Sequence, residues 1–183
     1  GRTALEHEDA LVRGTAIRNV EHLAADALAP LLSPLLKDPS RFVRTEAART
    51  LSRIARSHFS GEMAAESSAL SDALQEYREG QRATDDQPGT HLNLAVLHDN
   101  LGKEKQAEES YRTALRIDPT FVPARVNLAT LFARQNRRRE AESELRAAIS
   151  SQPEMVDAHY SLGLLLAEDP QRIADATSAL VRA

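Results

Sequence analysis

Residues 88–121 read PGTHLNLAVLHDNLGKEKQAEESYRTALRIDPTF, and residues 122–155 read VPARVNLATLFARQNRRREAESELRAAISSQPEM. Laid one over the other without a gap, the two blocks agree. Asn93-Leu94-Ala95 falls on Asn127-Leu128-Ala129, Ala107 on Ala141, Ala114 on Ala148 and Pro119 on Pro153. A fixed period with small residues and a proline at matching places marks stacked supersecondary units rather than a closed globule. Small residues let two helices approach, and a bulky residue beside them, Tyr111 or Leu145, fills the remaining gap. Proline removes a backbone donor and restricts the residue before it, so each second helix has a fixed stop.

Outward from this stretch, a third copy begins at Val156, with Leu162-Gly163 and then Ala176, Leu180 and Ala183. It keeps register only if one residue is inserted in the turn Glu168-Asp169-Pro170-Gln171. The pattern resembles the tetratricopeptide repeat (TPR), two antiparallel helices with small residues at the eighth, twentieth and twenty-seventh positions. The family places a bulky residue at the twenty-fourth position and proline at the thirty-second. Here the first copy supplies Ala95, Ala107, Tyr111, Ala114 and Pro119, the second Ala129, Ala141, Leu145, Ala148 and Pro153. Departures are modest: Ala95 and Ala129 replace the usual Gly, His91 and His159 stand where a large aromatic is frequent, and His98 where Tyr is.

Residues 1–60 carry a different period. Val12-Arg13 recurs as Val43-Arg44, and the same offset sets Ala16 on Ala47, Arg18 on Arg49, Val20 on Leu51 and Leu23 on Ile54. Helical spacing predicts two apolar stripes, Val12, Ala16, Val20, Leu23 and Val43, Ala47, Leu51, Ile54. Leu28, Leu31, Leu32, Leu35 and Leu36 predict a shorter helix between them, in which Pro30 suits the first turn and Pro34 forces a late start or a kink. Asp38-Pro39-Ser40 is a tight turn with Ser40 placed to cap the next helix. Leu35-Leu36, Asp38-Pro39, Val43-Arg44 and Ala47-Ala48 together resemble HEAT repeats. Residues 57–62 with Gly61 read as a loop. Met63, Leu70, Ala73, Leu74 and Tyr77 then share one face of a helix over 63–84, which stops at Asp85-Asp86-Gln87-Pro88-Gly89.

The expected fold is all-α: a right-handed α-solenoid of antiparallel helix pairs, with roughly ten helices. Residues 1–87 would be HEAT-like with a connecting helix, and residues 88–183 a TPR array of two full repeats and a truncated third. Hydrophobic content of 42% and charged content of 27% suit a folded chain, and no run of 18 apolar residues offers a membrane span. No signal peptide is visible. An opening at Gly1 and a stop at Ala183 inside an expected helix suit a segment of a longer protein, which leaves compartment open. Such an uncapped last helix would present a sticky face, or be covered by a second copy.

The absence of cysteine excludes disulfides, Cys-zinc sites and covalent haem within this chain. None of the six histidines pairs at the spacing of four needed for shared ligation on a helix. His91 and His98 are two turns apart and fit aromatic packing positions. His7-Glu8 begins a zinc-protease pattern that Leu11 breaks. There is no phosphate-binding glycine loop and no serine elbow, so no catalytic, cofactor or metal residues are assigned.

Net charge is −4. Residues 1–60 hold 9 Lys/Arg against 7 Asp/Glu, and residues 61–183 hold 14 against 20, so nucleic acid is not an expected partner. Arg49, Arg53 and Arg56 do share one helix face that could track phosphates, which leaves nucleic-acid binding by the HEAT-like half as a third, less favoured function; acids nearby favour a solvated face. Arg137-Arg138-Arg139 reads as a solvated turn followed by Glu140, Glu142 and Glu144.

The TPR resemblance implies a peptide groove lined by the first helix of each repeat. Carried onto this sequence, the lining is Leu92, Asn93, Val96, Asp99 and Asn100, then Val126, Asn127, Thr130 and Arg134, then Asp157, Tyr160 and Leu164. TPR clamps for acidic chaperone tails use Lys and Arg at set positions. Only Asn127 matches that set; Leu92, Val96, Asp157 and Ser161 do not. The expected function is therefore a non-catalytic scaffold whose groove takes a peptide or neighbouring domain, with Asn93 and Asn127 placed to bond a peptide backbone. A second implication comes from the arrangement itself. HEAT-like helices, Glu76-Tyr77 and Gln81-Arg82, then TPRs resemble the C-terminal tail of certain bacterial multihaem cytochrome-type proteins, which would make this a periplasmic docking tail. The segments carrying that likeness are residues 31–36, 45–49 and 121–124.

Overall fold

Every regular element among the described residues, 2–54 and 64–183 of the computed structural model, is helical. The chain is all-α and of the solenoid type, built from antiparallel helix pairs. It forms two compact units, Gly1–Thr84 with Asn100–Lys103, and Asp85–Asp99 with Glu104–Ala183. No helix among the described residues is long and apolar enough to cross a membrane. The expected loop at 57–62, Met63 and Arg56 lie outside the described residues.

The first unit holds α1 (Arg2–Leu5), α2 (Ala10–Asn19), α3 (Ala25–Leu32), α4 (Arg41–Ser52) and α5 (Ala64–Gln81). Asp9 starts α2 by accepting the Leu11 N–H at 2.7 Å. α3 begins at Ala25, earlier than Pro30 predicts, and the break falls at Pro34. There the chain tightens into a 3₁₀ turn over Ser33–Lys37, since Pro34 has no N–H to continue the α-helix.

Ser40 occupies the cap position of α4, but its side chain makes no capping bond. Asp38 does the organising instead. Its carboxylate accepts the Ser40 N–H at 2.8 Å and two hydrogen bonds from Arg13, both at 2.8 Å.

The recurrence of Val12-Arg13 as Val43-Arg44 now has a reason. Arg13 reaches back to the His7 and Glu8 carbonyls and forward to Asp38. Arg44 repeats the pattern, reaching back to the Asp38 and Pro39 carbonyls and forward to Glu76 at 2.8 Å. Each arginine thereby ties the turn before its helix to the next element.

The core of this unit includes Ile17, Leu32, Val43, Ala47, Leu51, Leu70 and Leu74. The second predicted stripe is buried throughout. In the first, only Ala16 is buried, and Val12 and Leu23 are exposed. α2 ends at Asn19, so Leu23 falls in a turn. The packed face is that of Gly14 and Ile17, where a Cβ on Gly14 would collide with the Phe42 ring.

The second unit is built from α6 (Pro88–Asn100), α7 (Glu104–Ile117), α8 (Val122–Arg134), α9 (Arg138–Ser151), α10 (Val156–Ala167) and α11 (Ile173–Val181). Ala95, Ala107, Ala114, Ala129, Ala141 and Ala148 are buried, with Tyr111 and Leu145 between them. The inner turns of the first two repeats each carry a left-handed residue one period apart, Gly102 (φ 71°) and Asn136 (φ 60°). At Asn136 the helix closes in a Schellman motif: the Asn136 N–H bonds the Ala133 carbonyl at 3.0 Å, and the Arg137 N–H the Phe132 carbonyl at 2.9 Å.

The next residue in this series is Pro170, whose φ is locked negative. The third turn is rebuilt accordingly as a 3₁₀ segment over Pro170–Arg172, started by the Asp169 carboxylate on the Gln171 N–H. The residue inserted between α10 and α11 is absorbed there.

Candidate functional site

The groove positions sit on α6, α8 and α10 of the second unit, and their side chains are not equivalent. Leu92 and Val126 pack partly into the core. Thr130 spends its hydroxyl on the Val126 carbonyl at 3.0 Å. Arg134 pairs with Asp99, which joins α8 to α6 and neutralises the one positive charge of the lining. Asn100 clusters with the first unit, where its amide donates to the Ser52 hydroxyl at 3.1 Å. Asn127 is half-buried. Asn93, Val96, Asp157, Tyr160 and Leu164 are exposed. What remains open is thus apolar and amide-bearing, with a carboxylate at Asp157.

The histidines in aromatic positions do more than pack. The fourth residue of each repeat is His91, Arg125 or His159, and each donates to the carbonyl six residues back. His91 Nε2 meets Asp85 O at 2.8 Å, Arg125 Nη2 meets Pro119 O at 2.7 Å, and His159 Nε2 meets Pro153 O at 2.7 Å. All three pin the turn that enters the repeat. The recurrence of two histidines and an arginine at one repeat position is the available signal, and its meaning is donor capacity rather than ring shape. His98 approaches the Ser110 hydroxyl at 3.3 Å. Among the described residues, no group of three His, Asp or Glu is placed to hold a metal ion.

Two of the arginine stripe's cations are engaged. Arg49 pairs with Glu21 and Glu46, and Arg53 donates to the Glu21 carbonyl at 2.7 Å. Burial opposes the charge on Arg49, but its hydrogen bond to Glu21 and the flanking carboxylates hold its pKa above the ordinary value.

The Arg137 turn is structural as well as solvated. Arg137 lies 4.0 Å from the Phe132 ring centroid and bonds both Glu140 and Glu108. Those bonds raise its pKa further and lower that of Glu108, whose depression comes first from Arg137. Arg138 pairs with Glu168 at 2.8 Å, and Glu144 with Arg125 at 2.6 Å.

Two clefts on the other side of the repeat have no counterpart in the sequence pattern. The larger, about 640 Å³, is lined by Arg112, Leu115, Arg125 and Leu128 among others. The second, about 360 Å³, is lined by Arg146, Ile149, His159 and Leu162, each one period further on. They are one feature of the repeat seen twice, a furrow over the first helix between successive second helices. Their rims mix cations and carboxylates already paired with one another, such as Arg112 with Glu108 and Arg125 with Glu144.

Comparison with known proteins agrees with this geometry. Residues 2–84 match HEAT repeats, and residues 88–121 and 126–183 match the tetratricopeptide repeat. The chain is a helical-repeat protein with HEAT repeats ahead of tetratricopeptide repeats. None of the curated proteins matches the sequence.

Among solved structures, MamA superposes with a TM-score of 0.54 at 13% identity, over 96% of this chain and 93% of that one. YrrB, described as a TPR protein with an unusual peptide-binding site, gives 0.50 at 17% identity, over 98% and 89%. BtubC from P. vanneervenii gives 0.50 at 18% identity, over 95% and 73%. At such identities the likeness speaks for the fold alone. Repeats of this type build protein–protein interaction modules, and that is the class to which this chain belongs.

Proposed function

We propose that the TPR array of residues 88–183 holds a peptide or a neighbouring domain along the first helices α6, α8 and α10. The observation that carries this reading is the apolar row left open there, Val96, Tyr160 and Leu164, beside the amides of Asn93 and Asn127. A preformed face of this kind costs little ordering entropy on binding. With Arg134 neutralised by Asp99 and Asp157 unscreened, the face suits a neutral or basic segment with apolar side chains, and not an acidic tail. Selection of a displayed peptide library on the chain tests it. Binders should be poor in Asp and Glu, and Tyr160→Ala or the pair Asn93→Ala/Asn127→Ala should weaken them about tenfold, about 1.4 kcal/mol. Equal binding by wild type and both variants rejects the groove.

A second reading rests on the order of segments, HEAT-like helices and then TPRs, which resembles the tail of multihaem cytochrome-type proteins. The array would then dock a partner beside a haem domain in the periplasm. Haem-attachment CxxCH sequences ahead of Gly1, or a Soret band in the parent protein, would support it; a colourless parent removes it.

A further inference from the structure

The ion pair in the groove is held differently from others that join successive repeats of the second unit. Arg137 bonds the carboxylates of both Glu108 and Glu140, and Arg172 those of both Glu142 and Asp175. Those two arginine side chains are 32% and 31% exposed. Among the described residues the Arg134 guanidinium bonds Asp99 alone, through one nitrogen and one oxygen. The Arg134 side chain is 50% exposed and that of Asp99 18%. The cation therefore lies outermost, over a carboxylate that is largely covered.

Three helices meet at this pair, Asp99 on α6, Arg134 on α8 and the buried Tyr111 on α7. Burial first, and then the Asp99 charge, push the Tyr111 hydroxyl up, while the Arg134 charge draws it down. A carboxylate so placed is costly without a counter-cation. Which cation it has matters far less, because a pair with one member half in solvent contributes little to stability. Val96, open in the groove row, lies three residues before Asp99 on the same face of α6.

We propose that Arg134 is the specificity-determining residue of the groove, holding in the free chain the place on Asp99 that a Lys or Arg of the bound segment takes. The role rests on the groove reading proposed above and adds to it one defined contact, a basic side chain on Asp99 beside an apolar one on Val96. Binding exchanges one cation for another. Asp99 keeps a counter-charge throughout, and Arg134 turns out into solvent, where half of it already lies. An acidic side chain gains nothing by this route, because pairing with Arg134 would strip Asp99 of its cation. The two residues together set the sign of charge that the groove accepts.

Fluorescence anisotropy of labelled peptides on the whole chain tests this. A binder selected from the displayed library is remade with Lys, Gln or Glu at each position in turn. The set is measured against wild type, Arg134→Gln, Arg134→Lys and Asp99→Asn, with folding checked by circular dichroism. Wild type should favour Lys over Glu at one position beside an apolar residue. Arg134→Gln, which bares Asp99, should tighten that Lys peptide about tenfold, and Arg134→Lys should leave it unchanged. Asp99→Asn should reverse the preference to Glu, since Arg134 is then unpaired. Both shifts should shrink in about 1 M sodium chloride. A Lys-over-Glu preference that is the same in all four proteins overturns the role of Arg134, and if Tyr160→Ala still weakens those peptides the groove stands without it. Peptides indifferent to Tyr160→Ala and to these variants alike reject the groove, and this role with it.

Discussion

At the scale of single residues, backbone chirality decides how each repeat turns. Gly102 and Asn136 hold the same left-handed position, one with no Cβ penalty and one with a short side chain that tolerates it. Asn136→Gly should leave stability unchanged or raise it slightly. Asn136→Val, which cannot take that φ without strain, should cost about 1–2 kcal/mol, read from denaturant unfolding. Gly163 makes a different demand. A Cβ there would meet Leu180 Cγ at 2.5 Å and the Ala176 carbonyl at 3.3 Å, so the last helix pair closes only around glycine. Gly163→Ala should destabilise by about 1–3 kcal/mol. The double variant with Leu180→Ala should recover part of that loss, a coupling that a double-mutant cycle measures directly. Additive losses would show that α11 sits elsewhere.

Among the elements, the joint between α2 and α4 rests on Asp38. Burial pushes its carboxyl up, but the hydrogen bonds from Arg13 and the Ser40 N–H, with the Arg13 and Arg44 charges, hold it below the ordinary carboxylate range. A depressed folded-state pKa means that the stabilisation is complete above the unfolded value, about 4. It is then lost as pH falls through the lower folded value. Asp38→Asn should therefore lower the melting temperature by several degrees at neutral pH, and flatten the acid limb of the stability curve below pH about 4. An unchanged acid limb would mean that another carboxylate governs it.

The sequence pattern points to this joint only through the Asp-Pro turn, and it nominates Ser40, because capping preferences do not say which of two neighbouring oxygens an arginine will orient. The period shared by residues 88–121 and 122–155 is more informative. Its alanines, Tyr111 and Leu145 are interior, since small residues at a helix contact leave no freedom of register. The stripe Val12, Ala16, Val20 and Leu23 is less so. Periodicity marks a helix face fit for burial, and Val12 gains burial only from a further surface laid over α2. Among the groove residues, the Arg134–Asp99 pair is invisible in the sequence because ion pairs between repeats depend on rotamers that spacing does not encode.

For the molecule as a whole, the question is what kind of force acts at its surfaces. Interior junctions of the second unit mix apolar contact with ion pairs, Arg172 with Glu142 at 2.6 Å and Arg138 with Glu168 at 2.8 Å. The open row of the groove, Val96, Tyr160 and Leu164, offers the apolar part. Salt separates the two. Raising sodium chloride from about 0.1 M to about 1 M shortens the screening length from about 10 Å to about 3 Å, which weakens partly exposed ion pairs and leaves apolar contact intact. Sulfate, excluded from the surface, strengthens apolar burial further. Capture of a neutral peptide by that row should accordingly hold constant or tighten in sodium chloride, and tighten clearly in sodium sulfate, as followed by fluorescence anisotropy of a labelled binder at fixed protein concentration. Capture of a basic peptide should show the opposite trend, because Asp157 then contributes through charge. Neutral-peptide capture that falls about tenfold between the two sodium chloride concentrations would assign the contact to charged side chains, and so to surfaces other than this row.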